Sequence, residues 1–160
     1  MEASELIEAL GRKMGLELSF KDGAAAFEAD GMTVAVNDLP ALDAVALTGD
    51  IGAPPPERLE SLYKTVLEAQ HLFRSTHGAT ISLDPGTGHF ALNKAIPLAT
   101  VDAESFAVEV ERFISTLETF VKIVREFRAR PPDAEPSAPI DETASSVVRS
   151  GFGGAGFMRV

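Results

Sequence analysis

Apolar side chains recur every three or four residues in three stretches of this chain, and this period predicts three amphipathic helices. The first stretch runs from Ser4 to Met14, with Ser4 as a candidate N-cap and Gly15 placed to end the helix. The second begins at Pro56, where proline followed by glutamate makes a favourable first helical turn. The third is expected to be capped by Thr100 or Asp102. Its apolar stripe is the longest in the chain and comprises Phe106, Val110, Phe113, Leu117, Phe120, Val124 and Phe127.

Between these helices the apolar period changes to two, which predicts strands. Ala24–Ala29 and Met32–Val36 flank Asp30-Gly31, a dipeptide that supplies two positive-φ residues, so a β-hairpin is expected there. A third strand is expected between Leu42 and Ile51. A second hairpin is expected to join Thr80–Leu83 to His89–Leu92 across a five-residue loop.

Leu16, Leu18 and Phe20 also alternate with polar residues, which fits either a strand or an extended lead-in to the first hairpin. Taken together, the elements predict an α+β fold of order α-β-β-β-α-β-β-α, in which helices pack on a twisted antiparallel sheet.

Composition narrows the possible functions. The chain has 160 residues, 14 basic against 24 acidic, and a formal net charge of -10, which repels phosphate backbones and anionic lipid. Nucleic acid is therefore not an expected partner. There is no cysteine, so no disulfide, thiolate nucleophile or cysteine zinc site is possible. No apolar run approaches the ~20 residues of a membrane span and the chain starts without a basic leader, so we expect a cytoplasmic protein with no membrane insertion.

Candidate catalytic chemistry is weak throughout the sequence. The run Gly151-Phe-Gly-Gly-Ala-Gly156 matches a dinucleotide-binding pattern, but it follows no predicted strand and too few residues remain for a phosphate-binding helix. Glu68 and His71 have the spacing of a helical metal pair, yet a di-iron bundle needs two such pairs and further glutamates. We therefore expect no enzymatic activity, no metal and no cofactor.

The order and spacing of several sequence blocks resemble those of the type III secretion chaperones of the Tir chaperone (CesT) family. The resemblance runs from about Glu2 to Arg128, four fifths of the chain. The blocks that carry it are Leu6-Ile-Glu-Ala-Leu-Gly, Met14-Gly-Leu, Leu18-Ser-Phe-Lys-Asp-Gly, Met32-Thr-Val-Ala-Val-Asn-Asp, Leu47-Thr-Gly-Asp-Ile-Gly, Ile81-Ser-Leu-Asp-Pro-Gly-Thr-Gly-His-Phe-Ala-Leu and Ile96-Pro-Leu ahead of Phe106.

This resemblance implies a cytosolic homodimer that binds the extended N-terminal segment of one or more secreted effectors and keeps it secretion-competent without ATP. An extended segment can add a strand to an exposed sheet edge while its alternate side chains enter apolar pockets. The expected effector-binding residues are Leu10, Leu18, Phe20, Phe27, Val34 and Val36, although about half of them would be ordinary core on a two-residue period. In the family the second helix commonly forms the dimer contact, so the interface candidates are Leu59, Leu62, Tyr63, Val66 and Phe73. For any one of these, covering the protomer's own sheet is an equally good explanation.

The chain is expected to divide into a chaperone-like domain, residues 1–130, and a Pro/Gly-rich tail, residues 131–160. Phe152, Phe157 and Met158 lie near the end of this tail and could dock on a partner or on the chain's own effector groove. A disordered terminus is the alternative interpretation.

Two other functions stay open for the chain: a dimeric regulatory domain of the same topology that binds a folded partner, and a small-molecule-binding domain.

Overall fold

The computed structural model describes residues 2–129, which fold as three helices and a five-stranded sheet in the predicted order. The strands are arranged as β1-β2-β3-β5-β4 and every neighbouring pair is antiparallel. Short 3-10 turns precede β3, α2 and α3, and another follows α2. The elements are α1 (Ala3–Met14), β1 (Ala24–Ala29), β2 (Met32–Leu39), β3 (Ala44–Gly52), α2 (Leu59–Gln70), β4 (Thr80–Leu83), β5 (Phe90–Pro97) and α3 (Ala103–Ala129).

The ends of the helices follow from local hydrogen bonding. Helix α1 begins at Ala3, before the expected cap Ser4, and the carboxylate of Glu5 accepts a hydrogen bond from the Glu2 N–H at 3.0 Å. The Ser4 cap is therefore wrong. Gly15 does end α1, because its φ of 71° is a left-handed conformation that glycine adopts without a steric penalty.

Asp102, rather than Thr100, caps α3. Its carboxylate accepts the Ser105 N–H at 2.8 Å, and the Ser105 hydroxyl accepts the Asp102 N–H at 2.9 Å. Hydrogen bonds from the Ser105 hydroxyl and then from the Ser105 N–H lower the pKa of Asp102, because they stabilise its ionised form. Thr100 instead donates to the Pro97 carbonyl at 2.8 Å.

Helix α2 begins at Leu59, three residues later than expected. Pro56–Arg58 forms a 3-10 turn, and Arg58, with φ −136° and ψ 26°, is not helical. The alternating stretch Leu16–Phe20 is not a strand in the structure but an extended lead-in, which was one of the two interpretations left open by the sequence.

One face of the sheet packs against the helices and forms the hydrophobic core. Phe106, Phe113 and Phe120 of α3 are buried there, which confirms that its stripe faces the protomer's own sheet. Gly49 of β3 leaves room for Leu117, since a Cβ at Gly49 would overlap that side chain. The opposite face is built from small and polar residues, and one cross-strand row reads Ala26, Ala35, Thr48, Asn93 and Thr80.

Candidate functional site

Strand β1 forms one edge of the sheet, and its backbone groups alternate between the β2 side and the free side. The Gly23 carbonyl accepts the Asp38 N–H of β2 at 2.8 Å. The next residue, Ala24, turns away from β2 and exchanges both of its backbone hydrogen bonds with Lys21, at 2.8 and 3.1 Å. By this alternation the N–H and C=O groups of Ala26 and Glu28 also point away from β2. Among residues 2–129 they have no backbone partner.

The lead-in segment Leu16–Phe20, which precedes Lys21, leaves this edge open because it packs against α1 and does not extend the pairing of Lys21 with Ala24. It lies so close to α1 that a Cβ at Gly11 would be 2.7 Å from the Leu16 carbonyl oxygen and 3.0 Å from the Leu18 nitrogen. Leu18 and Phe20 are half-buried against the core, while Leu16 and Met14 are exposed. The lead-in that precedes the open edge therefore carries apolar side chains that solvent can reach.

The structure divides the predicted effector-binding residues into two groups. Leu10, Phe27, Val34 and Val36 are buried in the protomer's own core, because they project from α1 and from the sheet face that the helices cover. Leu18 and Phe20 remain partly accessible. Sequence periodicity identifies the apolar residues of the sheet face that the helices cover. It does not identify the unpaired backbone groups of β1, because these depend on which strands pair and not on side chains.

Carboxylates surround the open edge. Glu17 lies on the lead-in, Asp22 and Asp30 lie in the turns on either side of β1, and Glu28 lies within it; all four are exposed. None of them forms an ion pair within residues 2–129, and Lys21 is the cation in this stretch. We call β1 with these four carboxylates the acidic edge.

A second surface is apolar and lies at the other side of the sheet. Six of the ten exposed large hydrophobic residues of the described chain fall between α2 and β4, which is more than scattered exposure would place there. We call this surface the α2 patch; it comprises Leu59, Tyr63, Leu67, Leu72, Phe73 and Leu83.

The predicted interface residues divide between this patch and the core. Leu59, Tyr63 and Phe73 belong to the patch, and the Tyr63 ring also meets Phe90 edge-on with centroids 5.6 Å apart. Leu62 and Val66 are buried in the protomer, since α2 uses one side of its apolar stripe to cover its own sheet. Leu67, which is 68% exposed, also belongs to the patch although it is not among the predicted interface residues, because spacing alone does not tell which side of the stripe meets the sheet.

The turn after α2 is held in an unusual conformation. Leu72 and Phe73 both have φ of 55°, a left-handed region that costs an L-residue roughly 1–2 kcal/mol. Hydrogen bonds from the turn to the body of the domain stabilise it: the Thr116 hydroxyl donates to the Arg112 carbonyl at 2.8 Å and therefore accepts from His77 Nδ1 at 2.9 Å. Lys94 donates to the His77 carbonyl at 2.8 Å and also pairs with Glu109. The segment that follows Leu72 and Phe73 is thus anchored at His77, and both side chains are exposed.

The residues considered for catalysis or metal binding show no such arrangement within residues 2–129. Glu68 pairs with Lys64 at 4.0 Å, and His71 follows the end of α2. Residues 2–129 contain no group of three potential metal ligands from His, Asp and Glu, and no helix among them has the length and apolar character needed to cross a membrane.

Asp84 serves the β4–β5 turn, where hydrogen bonds from the Gly86 N–H and then the Thr87 hydroxyl lower its pKa. Phe152, Phe157 and Met158 lie outside the described residues.

Comparison with known proteins adds a family and a set of structural relatives. The model of the Tir chaperone protein (CesT) family matches residues 5–120. A search of curated proteins finds no match.

Among solved structures, a chain of the ExsC–ExsE complex superposes with a TM-score of 0.66 at 17% identity, covering 78% of this chain and 97% of that one. A chain of the HopA1–SchA chaperone–effector complex gives 0.58 at 19% identity, with 76% and 91% covered. A chain of the heterodimeric ExoU–SpcU complex from the type III secretion system of Pseudomonas aeruginosa gives 0.59 at 16% identity, with 78% and 96% covered. At these identities the structural likeness shows a shared fold.

Proposed function

Because this chain belongs to the Tir chaperone (CesT) family, we propose that it binds the N-terminal segment of a secreted effector and holds it extended for export. The chain is a type III secretion chaperone, and its structural relatives come from chaperone–effector complexes. The specific part of the proposal concerns the surface that the effector uses, the assembly of the chaperone and the absence of an energy source.

The observation that carries the proposal is the open edge of β1. Ala26 and Glu28 offer two backbone donors and two backbone acceptors to an incoming strand. At a net ~0.5–1.5 kcal/mol for each hydrogen bond, a paired strand gains a few kcal/mol without reference to its side chains. Apolar residues of the effector can then contact Leu18 and Phe20 of the lead-in, and the exposed Met14 and Leu16 before them in the chain. Such an interaction needs no ATP, because the free energy of strand pairing and apolar burial drives it.

We further propose that two copies associate through the α2 patch. Clusters of exposed apolar residues mark interaction sites, and a patch that meets itself across a two-fold axis closes a dimer. The exposure of Leu72 and Phe73, next to α2 along the chain, supports this proposal, since both side chains can be buried on association. A dimer through this surface leaves both β1 edges free, because β1 and β4 lie at opposite ends of the sheet.

In this proposal the protein has no catalytic activity and acts in the cytoplasm, where an effector segment must be kept extended before export. The chain's membership of a chaperone family supports both statements.

The proposal is tested by capturing the tagged full chain from its native cells with its partner and mapping the bound region. We expect limited proteolysis to show protection of the partner's N-terminal segment alone, and native mass spectrometry to show two chaperone copies with one partner. The recombinant N-terminal segment by itself should then bind the chaperone. A partner that binds only as a folded domain, with no affinity in its isolated N-terminal segment, would contradict the proposal and favour a regulatory domain of the same topology.

A further inference from the structure

We propose that the C-terminal segment of this chain, Val147–Val160, docks on the acidic edge and occupies it until an effector displaces it. Three observations support the docking: the charge of the segment, the place where the chain leaves α3, and the length of the chain between the two. The displacement by an effector rests on the proposed function.

The charge of this segment is opposite to that of the acidic edge. Side chains of residues 147–160 carry two positive charges, on Arg149 and Arg159, and no negative charge, in a chain whose net charge is -10. The acidic edge has four carboxylates that form no ion pair with residues 2–129. Opposite charges of this kind favour and orient the encounter of the two segments.

The path of the chain brings the segment to the correct end of the sheet. The last turn of α3 is anchored at Arg128, whose guanidinium donates to the Ala53 carbonyl at 2.7 Å. Asp30 and Gly31, in the turn that ends β1, share one surface cleft with Arg125 of α3. The chain therefore leaves α3 beside one end of the acidic edge.

The length of the connection is sufficient. Residues 130–146 number 17, and a chain of this length spans at most about 56 Å at ~3.3 Å per residue. The six residues of β1 extend over only about 20 Å. The segment can therefore lie along the whole edge, in either direction.

The composition of the segment suits a contact that an effector can displace. Phe152, Phe157 and Met158 can contact apolar side chains of the lead-in before the edge, such as Leu18 and Phe20. Three glycines lie between these anchors, and glycine adds no side-chain contact while it loses the most backbone freedom on ordering. A linked segment nevertheless reaches a high local concentration at the edge, so even weak pairing gives substantial occupancy.

The test uses the full chain and needs no effector, so its outcome is independent of the proposed function. Since the sequence has no cysteine, Ser150→Cys gives one site for a nitroxide spin label. The labelled chain is enriched in nitrogen-15 and mixed with an excess of unlabelled wild-type chain, so that only contacts within one chain contribute. Paramagnetic broadening is then measured at the amides of β1 and, as a matched control, of β4 at the opposite edge.

We expect strong broadening at Ala24–Ala29 and none at Thr80–Leu83. The double substitution Arg149→Glu and Arg159→Glu should remove it, as should Glu28→Lys, whereas Glu104→Lys on α3 should not. Equal broadening at both edges, no broadening at β1, or broadening that survives the double charge reversal would each overturn the proposal. In a complementary measurement, the same double substitution should raise the affinity for an effector segment about tenfold if the edge is about 90% occupied. An unchanged affinity would refute displacement.

Discussion

The substitution Ala26→Pro tests the role of the β1 edge most directly. Proline has no N–H group, so it removes one donor from the edge. By the alternation established at Gly23 and Ala24, the N–H of Ala26 points away from β2, and the β1–β2 ladder should lose no hydrogen bond. Proline is tolerated at such edge positions. We therefore expect the free energy of unfolding to change by less than about 1 kcal/mol.

The expected loss in effector binding is larger than this change in stability. One hydrogen bond is lost outright, and the pyrrolidine ring hinders those that the incoming strand would make with the neighbouring backbone. Loss of two of the four hydrogen bonds at a net ~0.5–1.5 kcal/mol each amounts to about 1–3 kcal/mol. This corresponds to a roughly 5- to 150-fold weaker affinity.

The assay is titration calorimetry of the variant with the effector's N-terminal segment, together with denaturant unfolding of the free variant. Ala26→Val retains the N–H and should bind normally, which controls for added side-chain volume. Ala25→Pro removes an N–H that faces β2 and should destabilise the fold by about 3 kcal/mol. Wild-type affinity in a folded Ala26→Pro variant would refute edge pairing, and equal destabilisation by both prolines would refute the assigned backbone orientation.

Three further predictions address the core, the dimer and the response to acid. Gly49→Ala should destabilise the chain by about 1–3 kcal/mol in denaturant unfolding, because the added methyl overlaps Leu117. The double variant Gly49→Ala with Leu117→Ala should be destabilised by less than the sum of the two single changes, and additive effects would contradict this packing. Leu67→Glu should convert the proposed dimer to a monomer in size-exclusion chromatography with light scattering, while Val108→Glu, outside the α2 patch, should not. A Leu67→Glu chain that stays dimeric would contradict an interface at the α2 patch. The lowered pKa of Asp102 means that its contribution to stability is present above the ordinary value of 3.8 and is lost as the pH falls through the lower, folded-state pKa. Asp102→Asn should therefore reduce the loss of unfolding free energy measured as the pH falls below 3.8. The same loss in the variant and the wild type would argue against this cap.

The sequence predicted the order of elements and most of the core, because both depend on periodicity. The stripe of α3 is a clear example, since its spacing marks Phe106, Phe113 and Phe120 as buried and the structure confirms it. The Asp30-Gly31 turn was equally clear, because both residues have the positive φ, 51° and 76°, that this two-residue loop requires.

The surfaces were harder to predict, because they depend on how elements are placed against one another. Leu62 and Leu67 lie at opposite margins of one wide apolar stripe, and the first is buried while the second is mostly exposed, since only one margin of α2 meets the sheet. The alternation of Leu16, Leu18 and Phe20 permitted a strand, but close packing of this segment on Gly11 draws it away from β1. The open edge that results is a consequence of tertiary packing and has no local sequence signal.

The outward-facing groups of Ala26 and Glu28 are main-chain groups, and every polypeptide carries the same ones. A surface that recognises its cargo through them places few demands on the cargo's side chains. Over evolutionary time the cargo sequence can therefore drift without a compensating change in β1, and unrelated cargoes can come to share one edge.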